Sequence, residues 1–76
     1  MKQTLEAIIR NIVENQDAVS IEENEEEGRI TYKVKVSAED MGRVIGKQGK
    51  VANSIRIVIK ALAAKEKKKV TIEFTD

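Results

Sequence analysis

The chain lacks two residues on which much protein chemistry depends. Its 76 residues include no cysteine and no histidine. Without cysteine, a disulfide framework and thiolate metal sites are excluded. Without histidine, the commonest general base and metal ligand are missing. Catalysis would need paired carboxylates in a pocket, but the acidic residues cluster in a turn, at a helix start and at the ends. We expect no enzyme activity, metal site, cofactor or small-molecule substrate.

Long apolar runs are absent too. No run approaches the ~20 residues of a membrane span. The first 17 residues carry charges through their apolar pattern, unlike a signal peptide. We therefore expect a soluble cytoplasmic protein with no membrane partner. The length fits one domain, residues 1–76, with one modest core.

The charge is divided unevenly along the chain. Residues 1–40 hold five basic and ten acidic residues, a net of −5, whereas residues 41–76 hold nine basic and three acidic residues, a net of +6. The sum is the net charge of +1. This asymmetry favours a polyanionic partner for the second half. The alternative is a solvated surface whose halves attract each other.

Hydrophobic periodicity predicts the elements of the first half. A helical period in residues 5–13 predicts an amphipathic helix. Alternation around Val19 and Ile21, and again in residues 30–36, predicts two strands joined in a hairpin with residues 25–28 at its tip. The second strand directs one set of side chains to the core: Ile30, Tyr32, Val34 and Val36.

The second half predicts two helices and a strand. Ser37 precedes two acidic residues and is typical of a helix N-cap. A short apolar stripe follows, and Gly46 is expected to end this helix. A longer helix should begin near Lys50 and end in the lysine-rich residues 65–69, with this buried stripe: Val51, Ile55, Val58, Ile59 and Leu62. The segment "VTIEF" predicts a last strand with its apolar residues, Phe74 included, facing the core.

The predicted order is α-β-β-α-α-β. One face of a three-stranded sheet should pack under three helices, which is a two-layer α+β sandwich.

The segment "VIGKQGK" places two glycines between the two predicted helices. Without a Cβ at Gly46 or Gly49, a phosphate backbone can approach the main chain closely. The amides near residues 48–50 would be unpaired donors at the positive end of a helix dipole. Arg43, Lys47 and Lys50 add full charges around this anion site.

Two other phosphate motifs fail here. A P-loop needs G-x-x-x-x-G-K-[ST] after a strand, but Gly42 and Gly46 are one residue too close, Gln48 replaces the hydroxyl residue, and the segment follows a helix. The dinucleotide fingerprint G-x-G-x-x-G is absent because position 44 is valine.

The segment resembles the GXXG loop of KH domains, which clamps the backbone of about four nucleotides. Because an extra helix and strand precede the β-α-α-β unit, the order resembles a type II KH domain. The segment "AEDMGRVIGKQGKVANSIRIVIKALAAKE" is similar to small bacterial single-KH proteins of the KhpA type. This resemblance implies a cytoplasmic protein that binds single-stranded RNA, with RNA chaperone or post-transcriptional regulator as candidate roles. It also implies a homodimer, or a heterodimer with a larger KH protein.

The resemblance implies an RNA site around the loop. Its groove floor would involve Val44, Ile45 and Ile55, edged by Val34 and Val36, although a core role is an equal alternative for several of these. With two aromatic residues, base stacking as in RRM and OB modules is unavailable. Residues 65–69 are either RNA contacts or a solvated helix end. The candidate RNA-binding residues are Arg43, Val44, Ile45, Gly46, Lys47, Gln48, Gly49, Lys50, Asn53 and Ser54.

A second surface is predicted opposite the core stripe of the long helix. Ile57, Ala61 and Ala64 recur at i, i+4, i+7, and the small residues allow close helix approach. We expect a helix-to-helix dimer there, which would double the RNA footprint. The rival hypothesis is a protein-interaction module that keeps the KH fold without binding RNA. The intact glycines favour RNA.

Overall fold

The computed structural model describes residues 1–75, and the side chains of all of these except residues 47 and 48. Two α-helices and three strands follow one another as α1 (Lys2–Ile12), β1 (Ser20–Glu26), β2 (Arg29–Lys35), α2 (Ala38–Lys65) and β3 (Lys69–Thr75). A short 3-10 turn, Gln16–Ala18, lies between α1 and β1. Among the described residues, no helix is long and apolar enough to cross a membrane.

The sheet has the order β1-β2-β3, so β2 is central. β1 pairs antiparallel with β2, and β3 pairs parallel with β2, with Tyr32 opposite Ile72. The hairpin turn consists of Glu27 and Gly28, both at positive φ, while Glu25, predicted at the tip, belongs to β1. Two consecutive residues at positive φ are typical of the type I′ turn, which matches strand twist.

The core lies between one sheet face and the two helices. The alternation of β2 places Ile30, Tyr32 and Val34 in this core, as predicted, and Val36 follows directly after the strand. α1 contributes Leu5 and Ile9, one turn apart. The α2 stripe differs from the prediction, since Val58 is 46% exposed and the smaller Ala52 and Ala63 are buried instead.

The helical segment α2 contains the predicted break, but at a different residue. Gly49 has φ +77°, in the left-handed region, whereas Gly46 keeps a negative φ within the helical span. The predicted stop at Gly46 is therefore wrong by three residues. Helix is present on both sides of Gly49, and the order α-β-β-α-α-β is confirmed. We refer to residues 38–48 and 50–65 as the first and second halves of α2.

Candidate nucleic-acid interface

Gly49 is required by the backbone. Its φ of +77° lies in the region that side chains with a Cβ rarely adopt. The space around it is open, because an added Cβ would meet only the Nδ2 atom of Asn53, at 3.9 Å. The requirement for glycine is thus conformational. Gly49 turns the chain between the two halves of α2.

Gly46 has no such requirement. It lies in the helical span, and an added Cβ would meet nothing within 4 Å. Alanine at an open helical position is more stable than glycine by about 0.5–1 kcal/mol. The fold would therefore favour alanine at position 46. What glycine leaves here is a patch of bare backbone at the surface, directly before the break.

A polar face runs from the break along the second half of α2. Gly49, Asn53 and Arg56 follow at i, i+4 and i+7, so they share one side of the helix, and Lys60 lies one turn beyond them. This side faces the outer edge of β3, because the Nε and Nη2 atoms of Arg56 both donate to the Ile72 carbonyl at 3.4 Å. We call the space between this helix face and β3 the cleft.

Arg56 makes two further contacts in the cleft. Its Nη1 atom donates to Oδ1 of Asn53 at 3.2 Å, and its guanidinium lies over the Phe74 ring at 5.3 Å. A cation over an aromatic face is stabilised by the ring's quadrupole. Arg56 is not among the predicted RNA-binding residues. Its spacing of three residues from Asn53 was the available signal, but its partners lie in a strand about 16 residues later and cannot be read from the helix alone.

The β3 edge offers backbone groups to the cleft. Lys69 donates its N–H to the Gly28 carbonyl, and the Thr75 carbonyl accepts from Val36, so these residues direct their backbone toward β2. Because directions alternate along a strand, the residues between, such as Ile72, direct theirs outward. β3 has no strand partner on that side within the described residues. The Ile72 carbonyl already accepts from Arg56, but the Ile72 N–H and the outward backbone groups of Val70 and Phe74 can pair with base edges.

The apolar residues predicted for a groove floor separate into two groups. Ile45 is 40% exposed beside the break, whereas Val44 is fully buried. The structure also buries Val34, Val36 and Ile55 in the core. All four side chains belong to the core cluster, and their burial argues against direct contact with a ligand. Ile45 is the apolar side chain that the surface presents there.

Lys50 and Ser54 lie toward a different groove. Ser54 donates its hydroxyl to the Lys50 carbonyl at 2.9 Å, and both residues line an apolar groove of about 430 Å³ between α1 and α2. The rest of this groove is formed by Ile8, Ile12, Val51, Ile55 and Val58. The structure therefore does not group Ser54 with Asn53 and Arg56.

Arg43 is engaged by carboxylates. Its Nη2 atom lies 2.8 Å from Oε1 of Glu14, and its Nε atom lies 3.9 Å from Oδ1 of Asp40. A phosphate would have to compete with these partners. The predicted roles of Lys47 and Gln48 lie outside the described side chains.

Asp40 is the buried polar centre at the start of α2. It is 2% exposed and accepts the backbone N–H groups of Glu14 and Asn15 at 3.0 and 2.9 Å. The Ser37 hydroxyl donates to the same carboxylate, while the Asp40 N–H donates to Ser37 as the predicted N-cap contact. These hydrogen bonds, first those from Glu14 and Asn15, lower the pKa of Asp40. The network fixes the helix that presents Ile45 and Gly46.

The α-helical pair joined by a glycine break, beside a parallel edge strand in an α-β-β-α-α-β order, defines a type II KH domain. Residues 2–74 match the sequence model of the family described as KhpA/KhpB, KH domain. The chain therefore belongs to the KhpA/KhpB KH-domain family.

Named relatives cover nearly the whole chain. A protein of Clostridium acetobutylicum named RNA-binding protein KhpA is 51% identical over 96% of this chain and 97% of its own length. Proteins of the same name from Listeria monocytogenes and Thermotoga maritima are 40% and 41% identical. The Listeria match covers 100% of this chain and of the relative, and the Thermotoga match covers 96% of each.

Proposed function

We propose that this protein binds single-stranded RNA by clamping its backbone at Gly46–Gly49. The observation that carries the proposal is the bare backbone of Gly46 close to the break at Gly49, since the fold requires glycine at position 49 but would favour alanine at position 46. Bare backbone there allows a phosphate strand to approach the main chain. The relatives' name, RNA-binding protein KhpA, supports RNA as the partner.

The cleft supplies the remaining contacts. Phosphates would lie over the glycines, near the amides that begin the second half of α2 and the charge of Lys47. Bases would turn into the cleft, where Ile45 offers apolar contact and Arg56 and the β3 edge offer hydrogen bonds. Phe74 is already covered by Arg56. Binding should therefore be weak, modestly selective and sensitive to salt.

Gly46→Ala is expected to weaken RNA binding about tenfold without destabilising the protein. The methyl group meets nothing in the fold but occupies the path of the strand. The melting temperature should rise, because alanine favours the helix. Fluorescence anisotropy of a labelled single-stranded RNA gives the affinity, and circular dichroism gives the melting temperature.

Gly42→Ala is the matched control. Gly42 lies one turn earlier in the same helix, and its added Cβ also meets nothing within 4 Å. It should gain stability while keeping wild-type affinity. Equal RNA affinity for wild type and Gly46→Ala would show that the strand does not pass over position 46.

The cellular role follows the same chemistry. A weak clamp that reads few bases suits an RNA chaperone or a post-transcriptional regulator acting in the cytoplasm. The proposed role is non-enzymatic binding, with one domain spanning residues 1–76.

The second half of α2 also supports self-association. Ile57 is 68% exposed, and Ala61 and Ala64 continue the same exposed strip. At 100° per residue, Ile57 and Ala61 lie roughly 70–110° around the helix from the centre of the cleft face, whereas Ala64 lies one turn beyond Lys60 at the border of that face. Two copies that pair through Ile57 and Ala61 could therefore leave both clefts open. Small residues there allow close helix approach, which favours a homodimer. A heterodimer with a larger KH protein is the alternative assembly.

Ile57→Asp is expected to weaken dimerisation by about tenfold or more, because a carboxylate would be desolvated between the helices. Sedimentation equilibrium over a range of protein concentrations measures the dissociation constant. Thr4→Asp adds one charge at an exposed position of α1 and is the control. A dimer of unchanged strength in Ile57→Asp, or a wild type that stays monomeric, would contradict this interface.

A further inference from the structure

A basic pocket of about 390 Å³ lies at the far end of the cleft from the glycines. Four cations line it together with Val70 and Thr71: Arg29, Lys60, Lys68 and Lys69. We call it the basic pocket. Its residues come from three elements and the connection after α2, so folding brings together charges that are distant in sequence.

Two of these cations are opposed within the sheet. Arg29 and Lys69 are direct partners in the β2–β3 register. Like charges directly opposite each other destabilise a sheet. Elsewhere in the same sheet the pairing is complementary, since Lys33 lies opposite Glu22 on one side and Glu73 on the other. The Arg29–Lys69 pair is thus a local cost that a bound anion would relieve.

The carboxylates nearby leave most of this charge uncompensated. Lys68 is paired with Glu25 at 2.9 Å. Within the described part of the chain, no ion pair shorter than 4.0 Å engages Arg29, Lys60 or Lys69. Glu26 is the strand partner of Arg29, but the two side chains form no such pair. Three cations therefore remain available to an external anion.

The pocket continues the face that carries the cleft. Lys60 follows Arg56 by four residues and lies one turn further from the break. Gly49 and Lys60 are eleven residues apart, which corresponds to about 16 Å along the helix. A strand held at the glycines and lying against Arg56 would arrive at Lys60 and Lys69 as it leaves the cleft.

We propose that the basic pocket binds a phosphate of the same RNA strand beyond the four nucleotides of the clamp. This inference rests on the proposed function. The pocket lengthens the footprint and contributes charge without reading bases. Longer oligonucleotides then bind more tightly than tetramers, and the gain depends on Lys60 and Lys69.

The test compares a single-stranded RNA tetramer with an octamer of repeated sequence. Wild type is expected to bind the octamer about tenfold more tightly after correction for the number of binding registers. The double variant Lys60→Ala, Lys69→Ala should keep its tetramer affinity and lose most of this gain. Its salt slope with the octamer should fall by about 0.7, since each phosphate that is no longer neutralised on a single strand removes about 0.7. Chemical shifts of backbone amides locate both contacts by NMR.

Lys2→Ala, Lys35→Ala is the charge-matched control, because both lysines are exposed and neither lines the pocket. It should retain the octamer gain. The pocket variant should melt no lower than wild type, since Lys69→Ala removes the opposed pair.

The outcomes separate the two proposals. The pocket proposal is overturned, and the clamp proposal stands, if the tetramer shifts the backbone amide signals around Gly46 and Gly49 but the octamer binds no more tightly than the tetramer. The pocket proposal is also overturned if the double variant Lys60→Ala, Lys69→Ala still binds the octamer about tenfold more tightly than the tetramer. If wild type binds neither RNA, both proposals fail.

Discussion

The double variant Lys47→Asp, Gln48→Asp is expected to lose single-stranded RNA binding by about 100-fold or more, which corresponds to about 2.8 kcal/mol. The change replaces one positive charge by two negative charges between the two glycines, where the RNA backbone would lie. Phosphates that were attracted would then be repelled at close range. The net charge would move from +1 to −2.

The measurement is fluorescence anisotropy of labelled RNA at two salt concentrations, after circular dichroism has shown that both proteins fold. For wild type, affinity should fall as salt rises, because binding releases counterions from the RNA. For the variant, no saturable binding is expected at either concentration.

The chain contains its own control for this variant. Lys2 and Gln3 repeat the same dipeptide at the start of α1, and both are exposed. Lys2→Asp, Gln3→Asp makes the identical charge change, in a helix first turn where carboxylates are favourable. This control should bind RNA with an affinity close to that of wild type.

A loop variant that binds as well as wild type would contradict the clamp. If Ile57→Asp were then the damaging change, the chain would be a protein-interaction module that keeps the KH fold. The two variants therefore distinguish the two hypotheses in one set of purified proteins.

Periodicity predicted most of the fold, because the core faces of α1 and β2 are built from large apolar residues at regular spacing. It failed at Val58, which lies at the edge of the stripe and is exposed, while Ala52 and Ala63 fill the narrow space against the sheet. Alanine carries little hydrophobic signal in a sequence. Close packing of helix on sheet decides such positions, and spacing alone does not.

The glycines show a second limit. The sequence predicts a site at both glycines, but it places the break at Gly46 because glycine often ends helices. Glycine is tolerated within a helix at a modest cost, and the backbone leaves helical geometry where φ becomes positive, at Gly49. The sequence could not distinguish a glycine needed for backbone conformation from one that leaves open space.

Charged side chains were the least predictable part of the site. Arg43 and Arg56 are both basic residues near the loop, yet Arg43 pairs with Glu14 while Arg56 bonds to the Ile72 carbonyl. These partners are 29 and 16 residues away along the chain. Which arginine faces the cleft is decided by tertiary contacts.

Asp40→Asn is expected to lower the melting temperature by about 10 °C. The wild-type carboxylate accepts from two backbone N–H groups and the Ser37 hydroxyl. An asparagine of the same shape presents an NH2 group to one of these donors. A buried donor would then lose its partner. Thermal unfolding monitored by circular dichroism at pH 7 measures the loss.

The hydrogen bonds to Asp40 also predict that the stability of the fold depends on pH. The pKa of Asp40 is lower in the folded protein than the ordinary value of 3.8, so its ionised form stabilises the fold. That contribution is complete well above pH 3.8 and is lost as the pH falls through the lowered folded pKa. The difference in melting temperature between wild type and Asp40→Asn should therefore narrow below pH 3.8. Glu39→Gln, an exposed neighbour in the same helical turn, should show a much smaller difference at pH 7.

The Asp40 contacts hold the start of the helix that presents the proposed clamp, and Asp40 itself is buried away from any strand that would lie over the glycines. At a temperature where Asp40→Asn is folded, its RNA affinity should stay within about threefold of wild type, because no cleft group is removed. On warming, binding and folding should be lost together. A variant that melts like wild type would show that the Glu14 and Asn15 contacts do not contribute to stability. One that is fully folded yet fails to bind RNA would place Asp40 in the RNA site itself.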